Sequence, residues 1–117
     1  MYLKRKNITI GDKMKEFSDV TVVKKANVYF DGKVISRTVK FKDGTEKTLG
    51  FMQTGEYTFN TGVPEVMEIM SGRLEVLLPG TDAWKAVQAG ESFSIQGNSR
   101  FTMKVTAAAD YCCSYLK

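Results

Sequence analysis

Glu65 stands in the run PEVMEIMSG, directly after Pro64 and ahead of an apolar stretch that ends at Gly72. Alternation along the strand that follows can turn its carboxylate into the interior of a small β-structure. Lost solvation there raises the pKa and lets the group hold or release a proton nearer neutrality. The competing reading leaves Glu65 solvated at a strand entry. The chain contains no histidine, so no side chain titrates near pH 7 without help from its surroundings. Arg100, in GNSRF, carries a planar fork that suits phosphate, with the Ser99 hydroxyl beside it. A slip of one residue would turn that fork to solvent instead. Tyr57, Phe59 and Phe101 offer faces on which a flat ligand can stack whatever its identity. They equally suit plain interior packing, which such side chains supply in small barrels. One carboxylate without histidines makes no transition-metal site.

The elements that must position these residues are strands. Turn signals recur at Asp31-Gly32, Asp43-Gly44, Thr54-Gly55, Ser71-Gly72, Pro79-Gly80, Ala89-Gly90 and Gln96-Gly97-Asn98. Asp-Gly pairs supply the positive φ of tight hairpins. Between the turns lie β-branched and aromatic runs too short for an ordinary helix. KVISRTVKF places Ile35, Val39 and Phe41 on one face. FTMKV sets Phe101, Met103 and Val105 against Thr102 and Lys104, and YCCSYL aligns Tyr111, Cys113 and Tyr115. Glu68, three residues beyond Glu65, falls on the opposite face. Arg73 reads as a surface charge, and Trp84 is expected to seal the core. Roughly ten short strands with regular turns predict an all-β sandwich or barrel. KMKEF is the one helical suspicion.

A chain of 117 residues makes one domain. Its net charge of +4 is not spread evenly: seven basic residues stand against three acidic ones in positions 1–25, and the remainder balances at ten each. The excess marks residues 1–17 as a basic leader before a domain at 18–117. Such an arm can attract anions or RNA, but this spacing suits a solvated leader better, so nucleic acid is not an expected partner. No apolar run reaches the roughly 20 residues that span a bilayer, and no secretory signal is visible. Cys112 and Cys113 are adjacent and would point to opposite faces of a strand. Reduced thiols and a cytoplasmic location are expected.

The stretch GEYTFNTGVPEVMEIMSGRLEVLLPG resembles the first motif of the cupins, whose carboxylate precedes a strand, a glycine turn and an apolar strand. Where cupins place two histidines before it, this chain has Phe59 and Thr61, or Thr58 and Asn60 in the shifted register. AGESFSIQGNSRF resembles the second motif, with Gln96 in place of the usual proline and Arg100 or Phe101 in place of the last histidine. With Trp84 and the closing YCCSYL, the whole run looks like the pyrimidine/purine nucleoside phosphorylase family of short bacterial cupins. The resemblance implies a single small cupin-type, jelly-roll-like β-barrel. It also implies phosphorolysis: a nucleoside and inorganic phosphate give a free base and ribose 1-phosphate, with no metal or other cofactor. In that chemistry Glu65 stabilises charge on the sugar or protonates the base. Arg100 and Ser99 hold phosphate, while Tyr57, Phe59, Thr61 and Phe101 line the substrate site. A homodimer is expected by the same resemblance. The competing classes are a non-catalytic small-molecule-binding cupin and a nucleic-acid-binding barrel.

Overall fold

The computed structural model describes residues 15–117. Nine strands alternate with tight turns: β1 (Thr21–Val22), β2 (Asn27–Tyr29), β3 (Val34–Lys40), β4 (Glu46–Met52), β5 (Gly55–Asn60), β6 (Glu65–Leu77), β7 (Lys85–Gln88), β8 (Ser92–Ile95) and β9 (Arg100–Tyr115). A 3-10 turn, Phe30–Gly32, joins β2 to β3. All pairings are antiparallel, in the order β1-β3-β4-β9-β6-β7, with β2 on β3, β5 on β9 and β8 on β6. The leader's first fourteen positions lie outside the described residues, as does the start of KMKEF. The described end of that run, Lys15–Phe17, carries no helix. Phe17 rests edge-on against Phe41 at 5.0 Å, with the Lys47 ammonium 5.5 Å from its ring.

Two strands are far longer than the turn spacing predicts. β6 runs for 13 residues and β9 for 16, and they pair along most of their length. Each is shared by two halves of the sheet. The N-terminal half of β9 carries β5 and its C-terminal half carries β4, while β6 carries β8 at its start and β7 towards its end. Apolar side chains from both halves meet in one core, centred on Met52, Ile69, Leu74, Val76, Ile95 and Met103. The arrangement is a cupin-like jelly roll whose sheet path does not close.

Ser71-Gly72 is therefore not a hairpin turn. It is a β-bulge inside β6, marked by register shifts between Ile69 and Leu74. The bulge changes which side chains face inward. Met67 and Ile69 are buried before it and Leu74 and Val76 after it, so the inward set moves from odd to even positions. Opposite, β9 keeps one parity throughout: Phe101, Met103, Val105, Ala109, Tyr111 and Cys113 are all buried. Without the extra residue, β6 could not turn both Glu65 and Leu74 to the inside.

Smaller expectations fare differently. Ile35, Val39 and Phe41 do share a face, but Val34 and Ser36 on the other face line the interior. Val39 is buried outside the main apolar cluster. Trp84 does not seal the core: it is half-buried, with the Lys104 ammonium 4.3 Å from its ring centre. Both cysteines are free thiols, as adjacency in a strand requires. Cys113 faces inward and Cys112 lies across from Glu68 on the other side.

Candidate functional site

Between the two halves of the sheet lies a cavity of about 240 Å³. Glu65 enters it from the first position of β6, half-buried, flanked by the inward row of β9. The Cys113 thiol donates to Glu65 Oε1 at 3.4 Å. Burial pushes the Glu65 pKa above its ordinary value, and the thiol's hydrogen bond offsets part of that rise. Cys113 is itself pushed strongly upward, by burial first and then by the neighbouring carboxylate. A thiol held in that form is a hydrogen-bond donor rather than a nucleophile.

The remaining polar groups are hydroxyls. Thr48 Oγ1 and Tyr115 OH share a hydrogen bond of 3.2 Å across the β4–β9 pairing. Burial raises the Tyr115 pKa well above that of a free phenol. Tyr111 is pushed up to about 12, chiefly by burial, with a hydrogen bond from Ser36 acting against the rise. Gly50 pairs with Tyr111 across β4 and β9. A Cβ there would lie 2.5 Å from the Tyr111 ring, so only glycine leaves that ring its place. Ser36 in turn accepts from Asn27 Nδ2 at 3.2 Å. Phe59 and Phe101, stacked with ring centres 6.1 Å apart, form the apolar wall with Met52 and Met67.

The residues nominated from the sequence divide into two groups. Glu65, Phe59 and Phe101 line the cavity together, as does Asn60 from the shifted register. Thr58 instead shares a 2.9 Å hydrogen bond with Thr102 on the exposed face. Tyr57 is buried, and its hydroxyl donates to the Gln53 carbonyl at 2.8 Å, outside the lining. Thr61 Oγ1 donates to the Gln96 carbonyl at 2.7 Å and accepts from the Ser99 N–H at 3.0 Å, while Ser99 Oγ donates to Gly97 O at 2.8 Å. The Thr61 side chain thus holds the Gln96–Ser99 loop to the residue that follows β5, while the Ser99 hydroxyl closes a bond within that loop. Arg100 is exposed and does not line the cavity, although it pairs in register with Asn60, which does. Lining residues that were not nominated as site residues include Ser36, Thr48, Tyr111, Cys113 and Tyr115. The alternation in YCCSYL already aligned the last three; nothing in the sequence singled out Ser36 or Thr48.

As a metal site the cavity is poor. It presents one carboxylate and one thiol held protonated, and among the described residues no three His, Cys, Asp or Glu side chains converge. That donor set does not fit the histidine-rich centre of metal-dependent cupins.

A family model for pyrimidine/purine nucleoside phosphorylases matches residues 24–115. The chain belongs to the pyrimidine/purine nucleoside phosphorylase family. A relative of that name from Geobacter sulfurreducens is 64% identical over 103 residues, covering 88% of this chain and 99% of its own. Another, from Syntrophotalea carbinolica, is 60% identical over 104 residues and covers 89% and 100% respectively. Among solved structures, a protein of unknown function from Acinetobacter sp. ADP1 superposes with a TM-score of 0.84 at 45% identity, over 86% of this chain and 98% of its own. An RmlC-like cupin from Shewanella frigidimarina superposes at 0.63 with 14% identity, over 86% of each chain, and speaks for the fold alone. The matched family segment contains β2 to β9 and thus every residue that lines the cavity.

Proposed function

We propose that this family member cleaves purine and pyrimidine nucleosides with inorganic phosphate, and that the cavity around Glu65 is its active site. One observation carries the reading: a half-buried carboxylate, its charged form disfavoured, faces a cavity whose other polar groups are hydroxyls, an amide and a thiol. In phosphorolysis the C1′–N bond breaks and its electron pair stays with the base. A phosphate oxygen bonds C1′, and the base takes a proton. Positive charge gathers on the sugar at the transition state, as in glycoside hydrolysis. Ionised Glu65 opposes that charge and accepts hydrogen bonds from the ribose hydroxyls. In its protonated form the same carboxyl would instead give its proton to the leaving base.

Phosphate needs donors. Arg100 is exposed and pairs in register with the cavity-lining Asn60, and its planar fork suits an anion bound beside that residue. Thr61 and Ser99 contribute through the loop they fasten, which precedes Arg100 and Phe101. Phe59 and Phe101 supply stacking faces that tolerate different bases. In this reading no metal or organic cofactor takes part. Phosphate is the co-substrate, and neither a membrane nor nucleic acid is a partner. No helix among the described residues is long and apolar enough to cross a membrane. Two free thiols suit a reducing compartment such as the cytoplasm.

The test is a nucleoside panel assayed with and without phosphate, before and after dialysis against EDTA. Uridine and at least one purine nucleoside should release base only with phosphate, and chelation should leave the rate unchanged. Equal cleavage without phosphate, or none at all, defeats the reading; loss on chelation that one metal restores defeats its metal-free form. Leu49, Phe51 and Met70 expose apolar surface on the sheet's outer face, which gives the proposed homodimer a physical motive. Light scattering at micromolar concentration should return twice the monomer mass, and a monomer there removes the dimer.

A further inference from the structure

Tyr29 belongs to no motif singled out in the sequence, yet it lines the cavity. It pairs with Val34, whose side chain is fully buried, so strand geometry directs the Tyr29 ring to the interior face. The residue nevertheless remains 43% exposed, which places it at the mouth. There it meets Phe59 edge-on, with centres 5.5 Å apart. Its phenol makes no hydrogen bond among the described residues, and its proximity to Tyr111 contributes to that residue's raised pKa. A half-open aromatic ring with an uncommitted hydroxyl is an unusual way to end a strand.

The backbone that follows is held at a cost. Phe30, Asp31 and Gly32 take φ of 52°, 56° and 90° in succession. A bulky side chain in the left-handed region is a genuine outlier and persists only where its surroundings enforce it. The enforcement is visible: the Phe30 ring packs on Tyr57 at 5.0 Å and on Phe59 at 5.4 Å. Tyr57 is anchored in turn by its hydrogen bond to Gln53 O. Buried Tyr57 therefore braces the turn, and the turn fixes where Tyr29 stands.

A cavity of about 240 Å³ is smaller than typical ligand pockets, so a bound nucleoside must extend into the mouth. The polar end, with Glu65, Thr48 and Tyr115, suits the sugar. The mouth offers aromatic faces and edges with a rotatable hydroxyl. We propose that Tyr29 and Phe59 form the nucleobase-binding notch of this site, an aromatic corner whose exposed ring face stacks on purines and pyrimidines alike. The proposal rests on the phosphorolysis reading for its ligand, but its test does not need turnover. Stacking discriminates little between bases because each has a π-face, whereas a fixed hydrogen-bonding pattern would select one.

The experiment measures binding of free uracil and adenine to the parent, Tyr29→Ala and Tyr29→Phe proteins by titration calorimetry without phosphate. KM and kcat for uridine and adenosine are measured on the same samples. Tyr29→Ala should weaken both bases by about tenfold or more, the scale of one base–aromatic stack. KM should rise for both nucleosides to a similar degree, with kcat and KM for phosphate little changed. Tyr29→Phe should stay close to the parent, since the ring carries the contact. A melting temperature near the parental value shows that Tyr29→Ala is folded. If it is lowered, Tyr29→Leu, which keeps apolar bulk without a ring, should show the same loss of base binding. Base binding that survives both ring-removing variants, or a parent that binds neither base, overturns the notch. A parent that binds both bases but cleaves nothing refutes phosphorolysis and leaves the notch standing.

Discussion

Glu65→Gln is expected to lower turnover on the order of a hundredfold, the usual cost of removing one preorganised charge from a transition state. The amide keeps the size of the side chain, and its oxygen can still accept from Cys113, so packing and the hydrogen bond at 3.4 Å survive. Only the anion is lost. Folding should not suffer, and the sign follows from linkage. The folded-state pKa lies above the ordinary 4.5, so the native state binds the proton more tightly than the unfolded chain. The stabilisation this brings is full below the ordinary value and is lost as pH rises through the raised one. At neutral pH the parent therefore carries a penalty for a buried charge that Glu65→Gln does not. The variant should melt at or above the parental temperature near neutrality, with the gap closing as pH falls towards 4.5. Glu68→Gln is the control, because Glu68 lies across from Cys112 on the other face. Kinetics and melting curves of the three proteins decide the matter. A Glu65→Gln enzyme with parental turnover removes the carboxylate from the mechanism, and loss at Glu68 instead would mean that the working carboxylate lies outside the cavity.

Gly72→Ala should be the most damaging alanine substitution among the described glycines. Gly72 has φ +89°, a region that L side chains resist, and an added Cβ would collide with the Ala108 carbonyl oxygen and lie 2.7 Å from that of Ala107. The obstacle is backbone of the paired strand, which cannot swing aside as a side chain can. Left-handed strain and overpacking each cost about 1–3 kcal/mol, and here they act together. A loss of roughly 10 °C or more in melting temperature follows for a domain of this size. Gly44→Ala separates the two causes: its φ is +90°, but nothing lies within 4 Å of the new methyl. It should cost only the strain. Equal losses at the two sites would show that the bulge accommodates a side chain and that the inward set of β6 does not depend on glycine.

Some of this was legible in the sequence for plain reasons. FTMKV and YCCSYL alternate strictly, and β9 keeps one parity, so Phe101, Met103, Tyr111 and Cys113 fall where period two puts them. Glu65 could be directed inward because the strand after it alternates with Met67 and Ile69. Gly72 was misread because a glycine that makes a bulge and a glycine that makes a hairpin look alike in sequence. Both supply positive φ, and only the partner strand tells them apart. Ser36 and Thr48 were invisible because polar residues on a strand normally mark its outer face. Their burial is tolerable only through hydrogen bonds to Asn27 and Tyr115. Tyr57 suited interior packing as well as a stacking face, and it lies in the core with its hydroxyl on the Gln53 carbonyl. The position of Tyr29 depends on a turn of successive left-handed residues that no spacing rule announces.

The position of β9 also bears on how the chain reaches this structure. Every strand that β9 joins comes earlier in the sequence, and the Thr48 and Tyr115 hydroxyls meet across 67 residues. Local hairpins such as β3–β4 can form early, but they leave β4, β5 and β6 each with an open edge until β9 arrives. Searching out such distant partners is entropically slow, and domains ruled by non-local pairing fold in milliseconds to seconds rather than microseconds. Through that interval the unpaired edges are templates for any similar chain nearby. Refolding yield should therefore fall with protein concentration well before native stability does. A peptide copying Arg100–Tyr115, added during refolding, would compete for the same vacancy and act as a poison of assembly rather than of the finished enzyme.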